Sequence, residues 1–385
     1  MDFALTEEQL AIRDMAREFA QKEIAPTVDA DYKAHRYPKE IVKKMAELGF
    51  FGCVIPEEYG GTGAGHLAQS IAAEEIARVS SSMRLPFNTQ TNGPGLSILE
   101  FGTEEQKRKY IPKLVSAEML GCFAISEPNA GSDVAATETT AVLDGEHWVL
   151  NGTKTWISAA QVADLSLVYA YTDKSQKYRG LSAFLLESSS PGYSTRPLDD
   201  KMGLCSSPTG EIILEDCRIP KDAILGQPGQ GFKICMTELD YTRLGAASGA
   251  LGVAQGCLDV AVKYAMEREQ FGQKIGNFQM NQEIIARMAV EIEAARLLVY
   301  RAAWQKDQKT RNTLETSMAK YFASEAAVNC SNGAMRILSA YGYSGEYPAE
   351  RYYRDAMAYP IVEGTANIHK MIISLDALGI RKANR

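Results

Sequence analysis

The chain has 385 residues, more than one small core needs and enough for two or three domains. Hydrophobic residues make up 45% and charged residues 23%, an ordinary globular balance that excludes a disordered or collagen-like chain. The net charge of −7 argues against nonspecific binding to nucleic acid or to an acidic membrane, while leaving room for a local basic pocket.

The first segment, MDFALTEEQLAIRD, is acidic and amphipathic, unlike a signal or transit peptide. Thr6 and Gln9 form a capping box that predicts a helix start, and Pro26 marks its end. Further helical patterns cover roughly 38–49, 66–79, 91–101 and 104–116. Between them GGTGAGH (60–66) resembles a nucleotide loop only superficially. After Gly61 and Gly63 the third glycine of that loop falls on His66, so a plain turn is expected. No uninterrupted apolar run approaches the ~20 residues of a membrane span.

From 121 to 230 the pattern changes to short β-rich runs such as HWVLNGTKTWIS, LSLVYAYT, GLSAFLLE and EIILEDCRIP, separated by Gly, Asn, Asp and Pro. From 231 to 385 long runs carry apolar residues at spacings of three and four, which predicts a helical bundle. The expected order is therefore a helical domain (1–120), a β domain (121–230) and a second helical domain (231–385), with no doubly wound parallel sheet. Seven cysteines without a CxxC pair fit reduced thiols and a cytoplasmic location. Four scattered histidines offer no metal-ligand spacing, so no metal is expected.

Four stretches carry chemistry-bearing residues. In CFAISEPNAGSD (122–133) a strand runs into a Pro- and Gly-containing loop whose hydroxyls and amides can converge on a polar or phosphorylated ligand; a capped turn is the plainer reading. In NGTKTWIS (151–158) Asn151-Gly152 reads as a hairpin. Trp156 and Ser158 share a strand face, where an indole could stack on a flat heterocycle or simply enter the core. In MEREQFGQKIGNFQ (266–279) Arg268, Gln270 and Phe271 stand at a break between long helices, suited to pyrophosphate or to a helix-end ion pair. In AYPIVEGTANIHK (358–370) one acid, Glu363, follows an apolar run, where a carboxylate is costly unless it is paired or must take a proton.

Together and in this order, with EYPAERYYRDA and VEGTANI, these stretches resemble the acyl-CoA dehydrogenase family over essentially the whole chain. The resemblance implies an N-terminal all-α domain, a middle β domain and a C-terminal four-helix bundle. It also implies FAD, an acyl-CoA substrate, a homotetramer, and electron transfer flavoprotein as acceptor. It places Phe123, Ile125, Ser126, Trp156 and Ser158 around the flavin, and Thr365 and Asn367 on the cofactor after the base. Arg268, Gln270 and Phe271, with Arg336 and Ala340, would reach the FAD of a neighbouring subunit. Ser132, Asp240 and Arg243 match contacts to the CoA portion. Glu363 matches the catalytic base, a stronger one where Val362 and substrate desolvate it. Thr242 occupies the family's alternative base position and cannot serve. Ser339-Ala340 departs from the Gly-Gly pair of many members and adds side chains there.

The run SSMR resembles the glutaryl-CoA dehydrogenase branch, in which an arginine matching Arg84 holds a distal carboxylate; the alternative for Arg84 is a structural ion pair. Decarboxylating members carry Tyr and Glu where Val362 and Ala77 stand, so the pattern resembles members that stop at glutaconyl-CoA. Pro86 and Phe87 are expected to add apolar volume near Arg84, which keeps an alicyclic substrate such as cyclohexane-1-carboxyl-CoA open. Asn88, where a related dehydrogenase of cyclic monoenes has an Asp base, favours ordinary α,β-dehydrogenation. An acyl-CoA oxidase or a silent FAD-binding member are the other classes.

Overall fold

A computed structural model describes residues 4–384. Helix α1 (Glu7–Phe19) starts at the expected capping box: Gln9 N donates to the Thr6 hydroxyl at 3.2 Å, and Thr6 N donates to the Gln9 side chain at 3.0 Å. It passes into a π-helical turn (Ala20–Ile24) just before Pro26. Then follow α2 (Val28–Lys33), α3 (Lys39–Glu47), α4 (Gly65–Ala77) and α5 (Ser81–Pro86). GGTGAGH is a turn into α4, whose first amides at His66 and Leu67 donate to Asp307 at 2.6 and 3.1 Å.

The helix expected over 91–101 is not a single helix. A nine-residue π-helical stretch (Phe87–Gly95) precedes α6 (Leu96–Phe101) and α7 (Glu104–Val115). Pro94 removes one amide donor, and Gly93 and Gly95 loosen the backbone, so the helix widens there. Gly93 is also required sterically: a Cβ would lie 2.5 Å from Phe123 Cδ1 and 3.0 Å from Glu238 Oε1. The widened stretch therefore lies against the sheet on one side and the C-terminal helices on the other.

The middle region is one mixed eight-stranded sheet. Its strands are β1 (Gly121–Ala124), β2 (Thr140–Asp144), β3 (His147–Ser158), β4 (Leu165–Tyr171), β5 (Leu181–Glu187), β6 (Tyr193–Pro197), β7 (Thr209–Pro220) and β8 (Ile224–Leu225). The order is β6-β7-β3-β2-β4-β5-β8, with β1 parallel to β4. Asn151-Gly152 does not form the expected hairpin. The β2–β3 turn lies at Gly145-Glu146, and Gly152 sits inside β3 at a register shift where an added Cβ would clash with the Thr139 hydroxyl.

The C-terminal region is built on α8 (Gly231–Glu267), 37 residues long. A small hairpin of β9 (Glu269–Gln270) and β10 (Gln273–Lys274) follows, then α9 (Gln279–Asp307) and α10 (Thr313–Leu338). Short α11 (Ala340–Tyr343), α12 (Ala349–Ala356) and α13 (Ala366–Ala377) complete it. Among the described residues α8 alone is long and apolar enough to cross a membrane, and 72% of its most apolar window is buried inside the protein. Its Ala250, Leu251 and Ala254 pack against Ile292, Val299 and Ala323 of the neighbouring helices. All seven cysteines are free and buried.

Candidate active site

Glu363 sits in the turn between α12 and α13, half-buried. Its φ is +57° and that of Gly364 is +89°. Glycine adopts this region freely, but a glutamate there is strained by about 1 kcal/mol and persists only where neighbours enforce it. They do. The Thr242 hydroxyl donates to Glu363 Oε2 at 2.6 Å, and Asn88 Nδ2 donates to Oε1 at 3.2 Å. Arg243 Nε donates to the Glu363 carbonyl at 3.3 Å. Asn88 is itself fixed: Nδ2 also meets the Thr242 carbonyl at 3.0 Å, and Oδ1 accepts from Asn92 at 3.1 Å. The widened stretch after α5 and one face of α8 thus aim a single carboxylate. Val362 beside it is exposed.

Arg84 on α5 is 1% exposed, yet no salt bridge reaches it among the described residues, and its Nε and Nη1 have no hydrogen-bond partner. The structural ion pair allowed by the sequence is absent from these residues. The guanidinium instead lies 5.6 Å from the Tyr359 ring, whose hydroxyl is 2.7 Å from Ser81 Oγ. Gly249 makes room for it, since a Cβ there would come within 2.5 Å of Arg84 Nε. Phe87, expected to add apolar volume near Arg84, turns the other way: it packs in the N-terminal core, 5.7 Å from Phe51 and 6.2 Å from Phe50. Arg84 and Phe87 are three residues apart, a spacing that shares a face in a regular α-helix, but Phe87 opens the π-helical stretch, whose wider turn breaks that neighbourhood.

Asp240 and Arg243 lie at one mouth of this region, paired at 3.1 Å, with Asp240 Oδ2 also accepting from Thr313 at 2.7 Å. Ser132 is exposed on the loop after β1. That loop is anchored by a buried pair that sequence reasoning missed: Lys154 Nζ meets Glu127 Oε1 at 2.7 Å and the Ile125 carbonyl at 3.3 Å. Thr155 N donates to the Ser126 carbonyl at 2.9 Å. The two motifs are therefore one ledge. On it Trp156, at φ +60°, is 63% exposed rather than core, and Ser158, Phe123, Ile125 and Ser126 are half-buried. An exposed indole beside reachable hydroxyls and an apolar lip fits a flat heterocycle with a polar edge, as a flavin has. Thr365 caps α13, its hydroxyl accepting from Ile368 N at 3.4 Å, and Asn367 is exposed in the first turn of that helix.

Arg268, Gln270 and Phe271 do not join this cluster. They sit on the β9–β10 hairpin, all exposed, with Phe271 94% exposed and Arg268 5.9 Å from the Tyr341 ring. The 25 residues from Arg243 to Arg268 span about 38 Å of α8. Arg336, bonded to Asn332 at 2.6 Å, and Ala340 are exposed at the same end.

Three further buried groups were not singled out from the sequence. Glu238, one turn before Thr242, accepts from the Tyr169 hydroxyl, and burial pushes its carboxyl well above the ordinary range. Lys320 on α10 donates to main-chain carbonyls around Glu363. His369 on α13 is buried with neither ring nitrogen bonded; burial, then the Lys320 and Arg243 charges, push its imidazole down to about 3. The signal for Lys320 was a polar stripe, Thr316, Ser317, Lys320 and Ser324, on a helix face that is otherwise apolar.

Comparison with known proteins identifies the family. The N-terminal, middle and C-terminal domain models of acyl-CoA dehydrogenase match residues 6–118, 122–217 and 229–378. A glutaryl-CoA dehydrogenase of Desulfococcus multivorans is 55% identical over 390 residues, covering 100% of both chains. A solved glutaryl-coenzyme A dehydrogenase in complex with glutaryl-CoA superposes with a TM-score of 0.98 at 55% identity, covering 100% of this chain and 98% of that one. A chain from a structure of the electron transferring flavoprotein of Acidaminococcus fermentans superposes at 0.97 with 46% identity, covering 98% and 100%. Three matched domains in order and a full-length relative at this identity mean that the chain belongs to the acyl-CoA dehydrogenase family, FAD-dependent oxidoreductases that dehydrogenate the CH–CH bond of acyl-CoA thioesters.

Proposed function

We propose that this dehydrogenase converts glutaryl-CoA to glutaconyl-CoA without decarboxylation, with Glu363 as the base. The observation that carries the substrate is Arg84: a buried guanidinium with no counter-charge among the described residues and two unbonded donors. A buried cation without an anion is costly, and a carboxylate at the end of a short acyl chain would complete it with paired charge-assisted hydrogen bonds. The relative and the solved complex named above are glutaryl-CoA enzymes, which supports the same substrate.

Glu363 removes the proton α to the thioester carbonyl. Thr242 and Asn88 hold its two oxygens, and Arg243 holds its main chain, so the carboxylate arrives already aimed. The ledge of Trp156 and Ser158, with Phe123, Ile125 and Ser126, would hold FAD, which would supply the acceptor for the β-hydride. Retention of carbon dioxide rests on the resemblance: Ala77 and Val362 stand where decarboxylating members carry Glu and Tyr, and neither supplies a polar group to draw the guanidinium off the carboxylate.

The partners of this reading are electron transfer flavoprotein as acceptor and three further copies of the chain in a homotetramer. The second is supported by the Arg268–Phe271 hairpin, about 38 Å along α8 from Arg243 and suited to serve only an adjacent copy's cofactor. Exposed Met280, Tyr343, Leu378 and Ile380 add apolar surface to the C-terminal helices. Seven buried free thiols suit a cytoplasmic enzyme.

The test is anaerobic bleaching of the flavin by a panel of thioesters, with products analysed. Glutaryl-CoA is expected to bleach it and to yield glutaconyl-CoA with no carbon dioxide. Bleaching by cyclohexane-1-carboxyl-CoA but not glutaryl-CoA would replace the substrate. Release of carbon dioxide would replace the outcome, and rapid peroxide formation in air would make the enzyme an oxidase.

A further inference from the structure

The turn that carries Glu363 is tied at both ends by one side chain. Lys320, on α10, is 0% exposed and forms no salt bridge among the described residues. Its ammonium donates to the Tyr359 carbonyl, four residues before Glu363, and to the Gly364 carbonyl, one residue after, at 3.1 Å. Ser324, one helical turn along, puts its hydroxyl 3.3 Å from the same Tyr359 carbonyl. Between these anchors the chain runs through two successive left-handed residues, Glu363 and Gly364, the first a strained non-glycine. A buried lysine bound to carbonyls alone stabilises a fold poorly, because desolvating its charge costs several kcal/mol that carbonyl dipoles repay only in part.

We propose that Lys320 is a positioning residue for dehydrogenation: it fixes the 359–364 turn, and through it the aim and the electrostatic surroundings of the Glu363 carboxylate. The inference rests on the reading of Glu363 as base. The groups whose charges Lys320 feels come from every side: Glu363 on the turn, Arg243 on α8, Arg84 on α5 and Glu325 on α10, with His369 on α13 feeling Lys320 in turn. Burial pushes the amine down to about 7, the Glu363 charge opposing this and Arg243 adding to it. Below about pH 7 the Lys320 side chain is therefore a positive charge coupled to Glu363.

Two variants of the holoenzyme separate tether from charge. Lys320→Met removes both; Lys320→Gln keeps N–H donors without the charge. Lys320→Met is expected to lower kcat about 10-fold or more with little change in KM, and to move the acid limb of the kcat/KM profile to higher pH by about one unit. A crystal structure of it should show the carboxylate off Thr242. Lys320→Gln should recover part of kcat and keep the shifted limb, and it carries the test if Lys320→Met fails to fold. Unchanged kcat and an unmoved limb overturn the inference, as does loss of flavin with the limb unmoved, which would make Lys320 purely structural. A parent enzyme whose flavin no acyl-CoA bleaches would instead overturn the base assignment, and this inference with it.

Discussion

The Thr242 hydroxyl donates to Glu363 Oε2 at 2.6 Å, on the carboxylate oxygen that Asn88 does not touch. One donor per oxygen leaves the carboxylate little freedom to rotate, which matters because proton abstraction requires the base within hydrogen-bond reach of the α-carbon. Glu363→Gln keeps the volume and removes the base. It is expected to bind FAD and thioester with the parent spectrum and to bleach about 10³-fold more slowly or worse. Thr242→Val removes one donor to a charged group and should cost about 10-fold in kcat with KM nearly unchanged. Stopped-flow reduction measures both, and full turnover in Glu363→Gln removes it as base.

Arg84 predicts opposite effects on catalysis and on stability. Arg84→Met should lower kcat/KM for glutaryl-CoA by about 10²-fold or more, the cost of stripping a buried carboxylate of its partner. Butyryl-CoA, with no distal charge, should be affected only a few-fold. In the ligand-free protein the same change removes a buried guanidinium whose Nε and Nη1 are unsatisfied, so the melting temperature should rise rather than fall. Equal losses for both thioesters would remove the carboxylate role and favour an uncharged ring substrate.

What the sequence made legible was what local chemistry encodes. The capping box at Thr6, alternation in the strands and three-and-four spacing in α8 to α10 are readable from neighbouring residues, and the structure has each of them. Glu363 stood out because an acid after an apolar run is unusual. What could not be read was long-range. Lys154 looks like any strand lysine until the fold brings Glu127 to it across 27 residues, and the polar stripe around Lys320 does not say that the turn 44 residues later closes on it. Phe87 was placed beside Arg84 by proximity in sequence, but it opens the π-helical stretch and packs on Phe50 and Phe51 instead. Asn151-Gly152 was read as a hairpin because turn chemistry is local, whereas its neighbour in space is Thr139.

The Glu127–Lys154 pair makes the ledge acid-sensitive. Burial opposes ionisation of Glu127, but the Lys154 charge, hydrogen bonds from Lys154 and Thr139, and the Glu138 amide outweigh it and hold the carboxyl below its ordinary value of 4.5. A carboxyl depressed in the folded state contributes stability that is complete above its unfolded value and is lost as pH falls through the folded one. Flavin retention should therefore weaken below about pH 4.5 in the parent. Glu127→Gln leaves Lys154 buried without its anion, at about 3–5 kcal/mol, and should release flavin at neutral pH. Flavin fluorescence against pH measures this, and retention by Glu127→Gln equal to the parent would rule the pair out as the anchor.

Ser339, which the resemblance sets at the first glycine of a Gly-Gly pair in many members, adopts a backbone conformation that favours glycine. Its φ is +55° and ψ −126°, between the end of α10 and the start of α11, with Ser339 N bonded to the Met335 carbonyl at 2.9 Å and Gly342 N returning to the Ser339 carbonyl at 2.9 Å. These bonds hold the backbone in a region that favours glycine, so the serine carries strain of about 1–2 kcal/mol. Its side chain is exposed. Ser339→Gly removes the strain but loosens the unfolded chain, which offsets up to about 1 kcal/mol. The net expectation is a melting temperature higher by about 2 °C, with kcat and KM unchanged. A lower melting temperature would mean that the Ser339 side chain has a partner in the assembled enzyme, and weaker FAD binding in the same variant would identify that partner as the neighbouring subunit's cofactor.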